Sequence, residues 1–139
     1  MFTIRYATED DASFWYTLDA HIRKSEFLLK VRDKRGYIIC DNDTSIGVLR
    51  YNLFWDTIPF LTLLFIREEY QVQGYGRQAM LHWEREMRAQ GHSMTMTSTQ
   101  ADEQAQHFYR KLGYVDRGSL FLDQTPCEQP AELIMIKRL

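Results

Sequence analysis

The chain has 139 residues, 45 % of them hydrophobic and 14 % aromatic, with a formal charge of −2. That bulk supports one compact domain, residues 1–139, whose core needs no disulfides or metals, and it leaves no global basic field for a nucleic-acid backbone. The longest nearly apolar stretch, Ile58 to Ile66, is far short of the ~20 residues that cross a bilayer, and Met1 to Ala12 lack the basic-then-apolar plan of a secretion leader, so a cytoplasmic protein is expected.

In chain order, Phe2 to Tyr6 alternates as a short strand. The acidic cluster Glu9, Asp10, Asp11 then suits a helix N-terminus, with Trp15, Leu18 and Ile22 at helical spacing. A second helix is expected from about Ser25 to Arg35 with Leu28 and Val31 inward, broken by Gly36, before a strand at Tyr37 to Cys40. Asp41 to Thr44 turns the chain into strands at about Ser45 to Trp55 and Ile58 to Ile66, joined as an antiparallel hairpin through Asp56-Thr57. The second of these is apolar on both alternate sets, the pattern of a central strand covered on both faces.

A polar segment from Arg67 to Gln73 leads to Gly74-Tyr75-Gly76 and a helix to about Gln90, with Ala79, Met80, Trp83 and Met87 facing the core and Gly91 ending it. A strand at Ser93 to Ser98 alternates Met94 and Met96 with polar residues. Helix four is expected from an N-cap near Asp102, with Ala105, Phe108, Tyr109 and Leu112 on one face and Gly113 as its end. Two strands, about Tyr114 to Leu122 and Glu132 to Arg138, close the chain. The expected fold is α/β: a single mixed, mostly antiparallel central sheet of about six to seven strands with helices on both faces.

Chemistry concentrates in Gln71-Val72-Gln73-Gly74-Tyr75-Gly76-Arg77, between an apolar strand and a helix start. Backbone N–H groups without intrahelical partners converge there, and two glycines permit close approach, which makes a cradle for an anion such as a diphosphate. Cys40 and Cys127 form no CxxC pair, and His21, His82, His92 and His107 show no metal-ligand spacing, so no metal site is expected.

The Gln-x-x-Gly-x-Gly run after an apolar strand resembles the acyl-CoA-binding signature of the GNAT superfamily of N-acetyltransferases. Ala105-Gln-His-Phe108-Tyr109-Arg-Lys-Leu-Gly113-Tyr114 is similar to that superfamily's second motif, Ala-x-x-aromatic-Tyr-x-x-x-Gly-aromatic. The resemblance implies acetyl-CoA as cosubstrate, its diphosphate on Gln71 to Arg77 and its pantetheine arm paired like an added strand with backbone near Leu64 and Ile66. It also implies that the fourth strand splays from the fifth, that a backbone N–H near Ile66 faces the thioester oxygen, and that Tyr109 is the general acid for the departing sulfur.

The family's frequent Asn three positions before Ala105, whose side-chain amide the resemblance places on the pantetheine arm, is here Asp102, a cofactor-binding candidate that also suits a helix cap. The Glu that some relatives carry early in strand four corresponds to Phe60, so the general base is open between a water relay, Glu68 and Asp56. His21, Trp55, Asp56 and the Leu122 to Ala131 loop fall where the superfamily often lines its acceptor site. The implied partner is a small-molecule or peptide amine, with no nucleic acid or membrane; self-association into a homodimer stays open. Two other readings compete. A noncatalytic acyl-CoA sensor or interaction domain of the same fold is barely separated by sequence, the retained Tyr109 favouring an enzyme, while Gly74-x-Gly76-x-x-Ala79 also fits a dinucleotide fingerprint but follows its strand too late for that fold.

Overall fold

The computed structural model describes residues 1–139. Seven strands, β1 (Phe2–Tyr6), β2 (Gly36–Asp41), β3 (Thr44–Phe54), β4 (Ile58–Ile66), β5 (Met94–Gln100), β6 (Val115–Leu120) and β7 (Glu132–Arg138), form one sheet ordered β1-β2-β3-β4-β5-β7-β6. Helices α1 (Ala12–Leu18), α2 (Lys24–Arg32), α3 (Tyr75–Ala89) and α4 (Ala105–Lys111) lie between strands, with short 3-10 turns at Glu9–Asp11 and Glu68–Tyr70. β4 is the central strand and runs parallel to β5, with Phe60 opposite Met96 and Leu61 opposite Thr97. The β1–β2, β2–β3, β5–β7 and β6–β7 pairs are antiparallel, so the sheet is mixed and mostly antiparallel as expected. No helix is long and apolar enough to cross a membrane.

The chain packs as two compact units, Met1–Asn52 with Thr62–Trp83, and Leu53–Leu61 with Glu84–Leu139. In the first unit, α1 and α2 cover one face of β2 and β3: Trp15 and Phe27 pack on Ile38, Cys40 and Val48. The opposite face carries Tyr37 and Tyr51, whose rings meet His82 and Trp83 of α3. Strand alternation sorts the two sets, since side chains two residues apart share a face. Leu18, Ile22, Leu28 and Val31 do face this core, though Phe27 is the helix-two residue it encloses most completely.

Boundaries shift where side chains override propensity. α1 stops at Leu18, and Asp19 turns inward to accept hydrogen bonds from the Trp15 indole N–H (3.0 Å) and Arg50 Nε (2.8 Å). Ile22 therefore packs from beyond the helix. α2 ends at Arg32, and Lys34, not Gly36, takes the left-handed conformation at φ 56°. Gly36 instead opens β2, where a Cβ would stand 3.3 Å from the Trp15 ring, so its role is close packing.

In the second unit, the polar residues of β5 are the buried ones. Thr95, Thr97 and Thr99 are enclosed, and Met96 is buried on the other face while Met94 is only partly so. Burial is tolerated because the hydroxyls are bonded: Thr95 to the Tyr114 hydroxyl (2.9 Å), Thr97 to the Leu61 carbonyl (3.3 Å). Glu84 of α3 accepts from Tyr114 Oη (2.9 Å) and Lys137 Nζ (2.7 Å), tying helix to β7. α4 begins at Ala105 rather than near Asp102, because residues 101–104 form a turn braced by Gln106 Nε2, which donates to the Ala101 and Glu103 carbonyls. Gly113, at φ 100°, ends the helix as expected, and Tyr114 N–H closes back on the Tyr109 carbonyl at 3.1 Å.

β4 departs from the expectation of cover on both faces. Its place in the sheet order is central, yet Thr62 and Phe65 are exposed, Phe65 at 42 %. Neighbouring strands satisfy backbone groups; they do not by themselves cover side chains. Thr62 reaches Arg50 on the α1/α2 face, and the adjacent Leu63 packs on the core of that same face.

Candidate functional site

The segment after β4 is shaped by its own side chains. Gln71 Nε2 donates to the Ile66 carbonyl (2.7 Å) and Gln73 Nε2 to the Glu69 carbonyl (3.1 Å), so both glutamines brace the loop. The Ile66 carbonyl is thereby engaged inside the chain, while Arg67 N–H bonds the Ile46 carbonyl of β3 at 2.7 Å. Tyr75 anchors the helix start by donating to the Asp41 carboxylate, which also pairs with the N-terminal ammonium at 2.6 Å. Those two partners hold Asp41 below the usual carboxylate range, the ammonium most strongly.

Val72 and Gly74 both adopt positive φ, 60° and 88°. For a β-branched, fully exposed residue this is strain with no packing return. A Cβ on Gly74 would meet nothing within 4 Å, so the chain beside it is open. Gly74 carbonyl accepts the first helical bond from Gln78 N–H (3.0 Å), and the opening N–H groups of α3, from Tyr75, Gly76 and Arg77, have no intrahelical acceptor. A fixed cluster of donors at a helix start, accessible and without bulk, fits a diphosphate. Leu64 is partly exposed, Ile66 is buried, and Arg77 is exposed.

Tyr109 lies in the second unit, 7 % exposed on α4. Its hydroxyl shares a hydrogen bond with Thr97, and Thr97 donates to the Leu61 carbonyl of β4 (3.3 Å). Burial pushes the phenol up to about 12, offset in part by the Thr97 bond, so the group is protonated throughout the neutral range. Its ring meets Tyr114 edge-on, centroids 5.8 Å apart, and Tyr114 is itself anchored on Glu84. Thr97 was not legible in the sequence as a partner of Tyr109; the signal was three threonines at alternate positions of β5, a repeated polar residue on a face that packs under helices.

The remaining candidates are exposed. Asp102 sits in the 101–104 turn, and Gln106 performs the bracing that a helix cap would supply. His21 follows α1 in the first unit. Trp55 and Asp56 form the central pair of a tight turn in the second, at φ 53° and 61°, closed by Thr57 N–H on the Phe54 carbonyl (3.1 Å). Two positive φ values match the twist of a two-residue hairpin and leave Trp55 78 % exposed against the Phe54 ring. Glu68 is exposed, and Phe60 is partly buried beside Phe54.

Residues 3–114 match the model of the acetyltransferase (GNAT) family. Among solved structures, Ard1 from Thermoplasma volcanium is similar with a TM-score of 0.85 at 17 % identity, over 99 % of this chain and 97 % of that one. Naa50 of Arabidopsis thaliana, in complex with the bisubstrate analogue CoA-Ac-MVNAL, is similar at 0.82 and 12 % identity, over 99 % of each chain. A GNAT acetyltransferase of Elizabethkingia anophelis with acetyl-CoA bound is similar at 0.77 and 17 %, over 99 % and 98 %. Among curated proteins, none is similar enough in sequence to match. With the family model spanning most of the chain and the sheet order to go with it, this protein belongs to the GNAT acetyltransferase family.

Proposed function

We propose that residues 1–139 act as one catalytic domain that transfers an acetyl group from acetyl-CoA to a primary amine, with Tyr109 as general acid. The observation that carries this reading is the phenol itself: buried, held protonated, and linked through Thr97 to the Leu61 carbonyl of the central strand. The loop from Gln71 to Arg77 takes the diphosphate on main-chain donors, and backbone beside Leu64 takes the pantetheine arm as an added strand. That Naa50 was solved with a peptide-bearing analogue supports a peptide amine, and small-molecule amines share its chemistry.

In this reaction the amine nitrogen bonds the acetyl carbon and the carbon–sulfur bond breaks. Tyr109 gives its proton to the departing sulfur, and the surplus proton of the new amide nitrogen passes to water. With the phenol near 12 and a free thiol near 8.5, the transfer is uphill by about 5 kcal/mol in reference terms. The loss of water that raises the phenol also raises the thiol, which reduces that gap. With the Thr97 proton engaged by the Leu61 carbonyl, Tyr109 donates to Thr97 at rest, and its O–H turns from that acceptor to the departing sulfur as the charge develops.

The test is Tyr109→Phe. The ring, its burial and its contact with Tyr114 are preserved, so acetyl-CoA affinity by calorimetry should hold while kcat falls by ~100-fold or more. Unchanged kcat, in pre-steady-state conditions where chemistry limits the rate, removes Tyr109 from the mechanism. Acetyl-CoA binding with no release of free CoA across a broad amine panel, wild type included, replaces this reading with a noncatalytic binding domain.

A further inference from the structure

A cavity of about 360 Å3 lies in the first unit, lined by Ile22, Arg23, Glu26, Lys30, Arg50 and Asn52. Its volume is at the small end of ligand sites, the scale of an amino-acid-sized group. Three of its six side chains are cationic in a chain whose overall charge is −2. Lys30 is enclosed and Arg50 partly so. Arg50 is compensated: Nε and Nη2 donate to Asp19 at 2.8 and 3.4 Å, and Nη1 donates to Thr62 Oγ1 at 2.9 Å.

Lys30 is different. It is 6 % exposed, and its ammonium donates to the neutral side-chain carbonyl of Asn52. Burying an ammonium against an amide is costly unless something anionic completes the site. Burial first, and then the neighbouring Arg50, pull the Lys30 pKa down, while Glu26 and Asp33 pull it partly back up. Glu26 and Arg23, both exposed, complete the lining.

We propose that this cavity is a carboxylate-recognition site for the amine acceptor, so that the preferred acceptor carries a carboxylate as well as the amine. Lys30 is bonded to an amide rather than to a carboxylate, with Glu26 acting on it only at longer range, so the site matches one monoanion, and a carboxylate has two oxygens for two donors: Lys30 Nζ and the Asn52 NH2, whose own oxygen is already used by Lys30. Arg50 contributes attraction and connects the pocket to β4, because its Thr62 partner is two residues before Leu64, about 7 Å along the strand. This assignment rests on the acetyl-transfer reading, since it makes the pocket the selector for that reaction's second substrate.

The test has a binding arm and a turnover arm, on the full chain. In the first, N-acetylalanine, N-acetylalaninamide and inorganic phosphate are titrated in the absence of acetyl-CoA, onto wild type, Lys30→Met and Asn52→Asp. Lys30→Met keeps the buried stem, and Asn52→Asp supplies the missing negative charge internally; both changes favour a folded chain, which thermal melts verify. N-acetylalanine should bind wild type about tenfold or more tighter than its amide, with that preference lost in both variants.

In the second arm, kcat/KM for alanine should exceed that for alaninamide by about tenfold or more, compared at equal concentrations of neutral amine. The ratio should approach one in Lys30→Met, with KM for acetyl-CoA unchanged. Equal use of alanine and alaninamide by wild type, or a preference that survives Lys30→Met, overturns the proposal while leaving acetyl transfer standing. Phosphate binding as tight as the carboxylate reassigns the cavity to free anions and also overturns it. Lys30-dependent carboxylate binding without acetylation of any acceptor removes the acceptor role through failure of the transfer reading, and leaves a carboxylate site whose binding data stand alone.

Discussion

Gly47→Ala is the sharpest probe of how β3 supports the candidate cofactor strand. Gly47 pairs with Ile39 across the β2–β3 ladder. A methyl built there would stand 2.7 Å from Ile66 Cδ1, 2.8 Å from the Phe65 carbonyl oxygen and 3.4 Å from Ile39 Cδ1. The Ile66 methyl is the end of a flexible side chain and can rotate away. The Phe65 oxygen is backbone, between Leu64 and Ile66, and it must retreat by roughly 0.5 Å to restore ordinary contact. Overpacking of this kind costs about 1–3 kcal/mol. For a chain of this size that is a fall in Tm of roughly 5–12 °C, with the urea m-value unchanged because the folded state stays compact. Displacing the Phe65 carbonyl should also weaken acetyl-CoA binding, read by calorimetry well below the new Tm. Gly118→Ala is the control: a Cβ there meets nothing within 4 Å, on the exposed strand β6, so its stability should match wild type. A Gly47→Ala protein as stable as the Gly118→Ala control would refute the argument that β3 and β4 approach too closely there for a side chain.

Three further outcomes follow from named contacts. Glu84→Gln keeps a side-chain oxygen for Tyr114 but leaves Lys137 without its carboxylate, in a site where Glu84 is 2 % exposed, and urea titration should show a loss of about 2–4 kcal/mol. A loss below ~0.5 kcal/mol would show that the network is not structural. Val72→Gly removes a strained φ of 60° from an exposed β-branched residue and should raise stability by about 1 kcal/mol despite glycine's entropy; a lower Tm would show that the loop is not strained there. Asp11, bonded bidentately to Arg5 and to Thr8 N–H, has its pKa held below the ordinary 3.8, Arg5 being the main cause. A depressed folded pKa contributes stability that is present above the unfolded value and lost as pH falls through the folded one. Stability should therefore decline on acidification below about pH 4, and Asp11→Asn should flatten that decline; an identical acid limb in the variant would exclude the pair as a contributor.

The motifs survived translation into structure unevenly, and the reasons are physical. Tyr109 and Gly113 were legible because helix spacing and a C-terminal glycine are local patterns, and both occupy the places expected of them. Gln71 and Gln73 belong to the expected cradle of backbone donors, and their side-chain amides turn back to brace that loop on Ile66 and Glu69. Nothing in a linear pattern distinguishes a glutamine that binds a ligand from one that holds its own backbone. Asp102 has the right chemistry for a helix cap, yet Gln106 braces the turn from within the helix.

What the sequence by itself determined was the order of elements, the central apolar strand, the donor-rich helix start and the family, all carried by periodicity, turn residues and two local motifs. Tertiary structure alone decided which polar residues lie inside: Thr97 against Tyr109, Glu84 between Tyr114 and Lys137, and Lys30 beside Asn52 and Arg50. Alternation marks polar positions as outward unless something distant in the chain comes to bond them. Those partners, 22 to 53 residues away for Lys30 and Glu84, exist only once strands and helices have met.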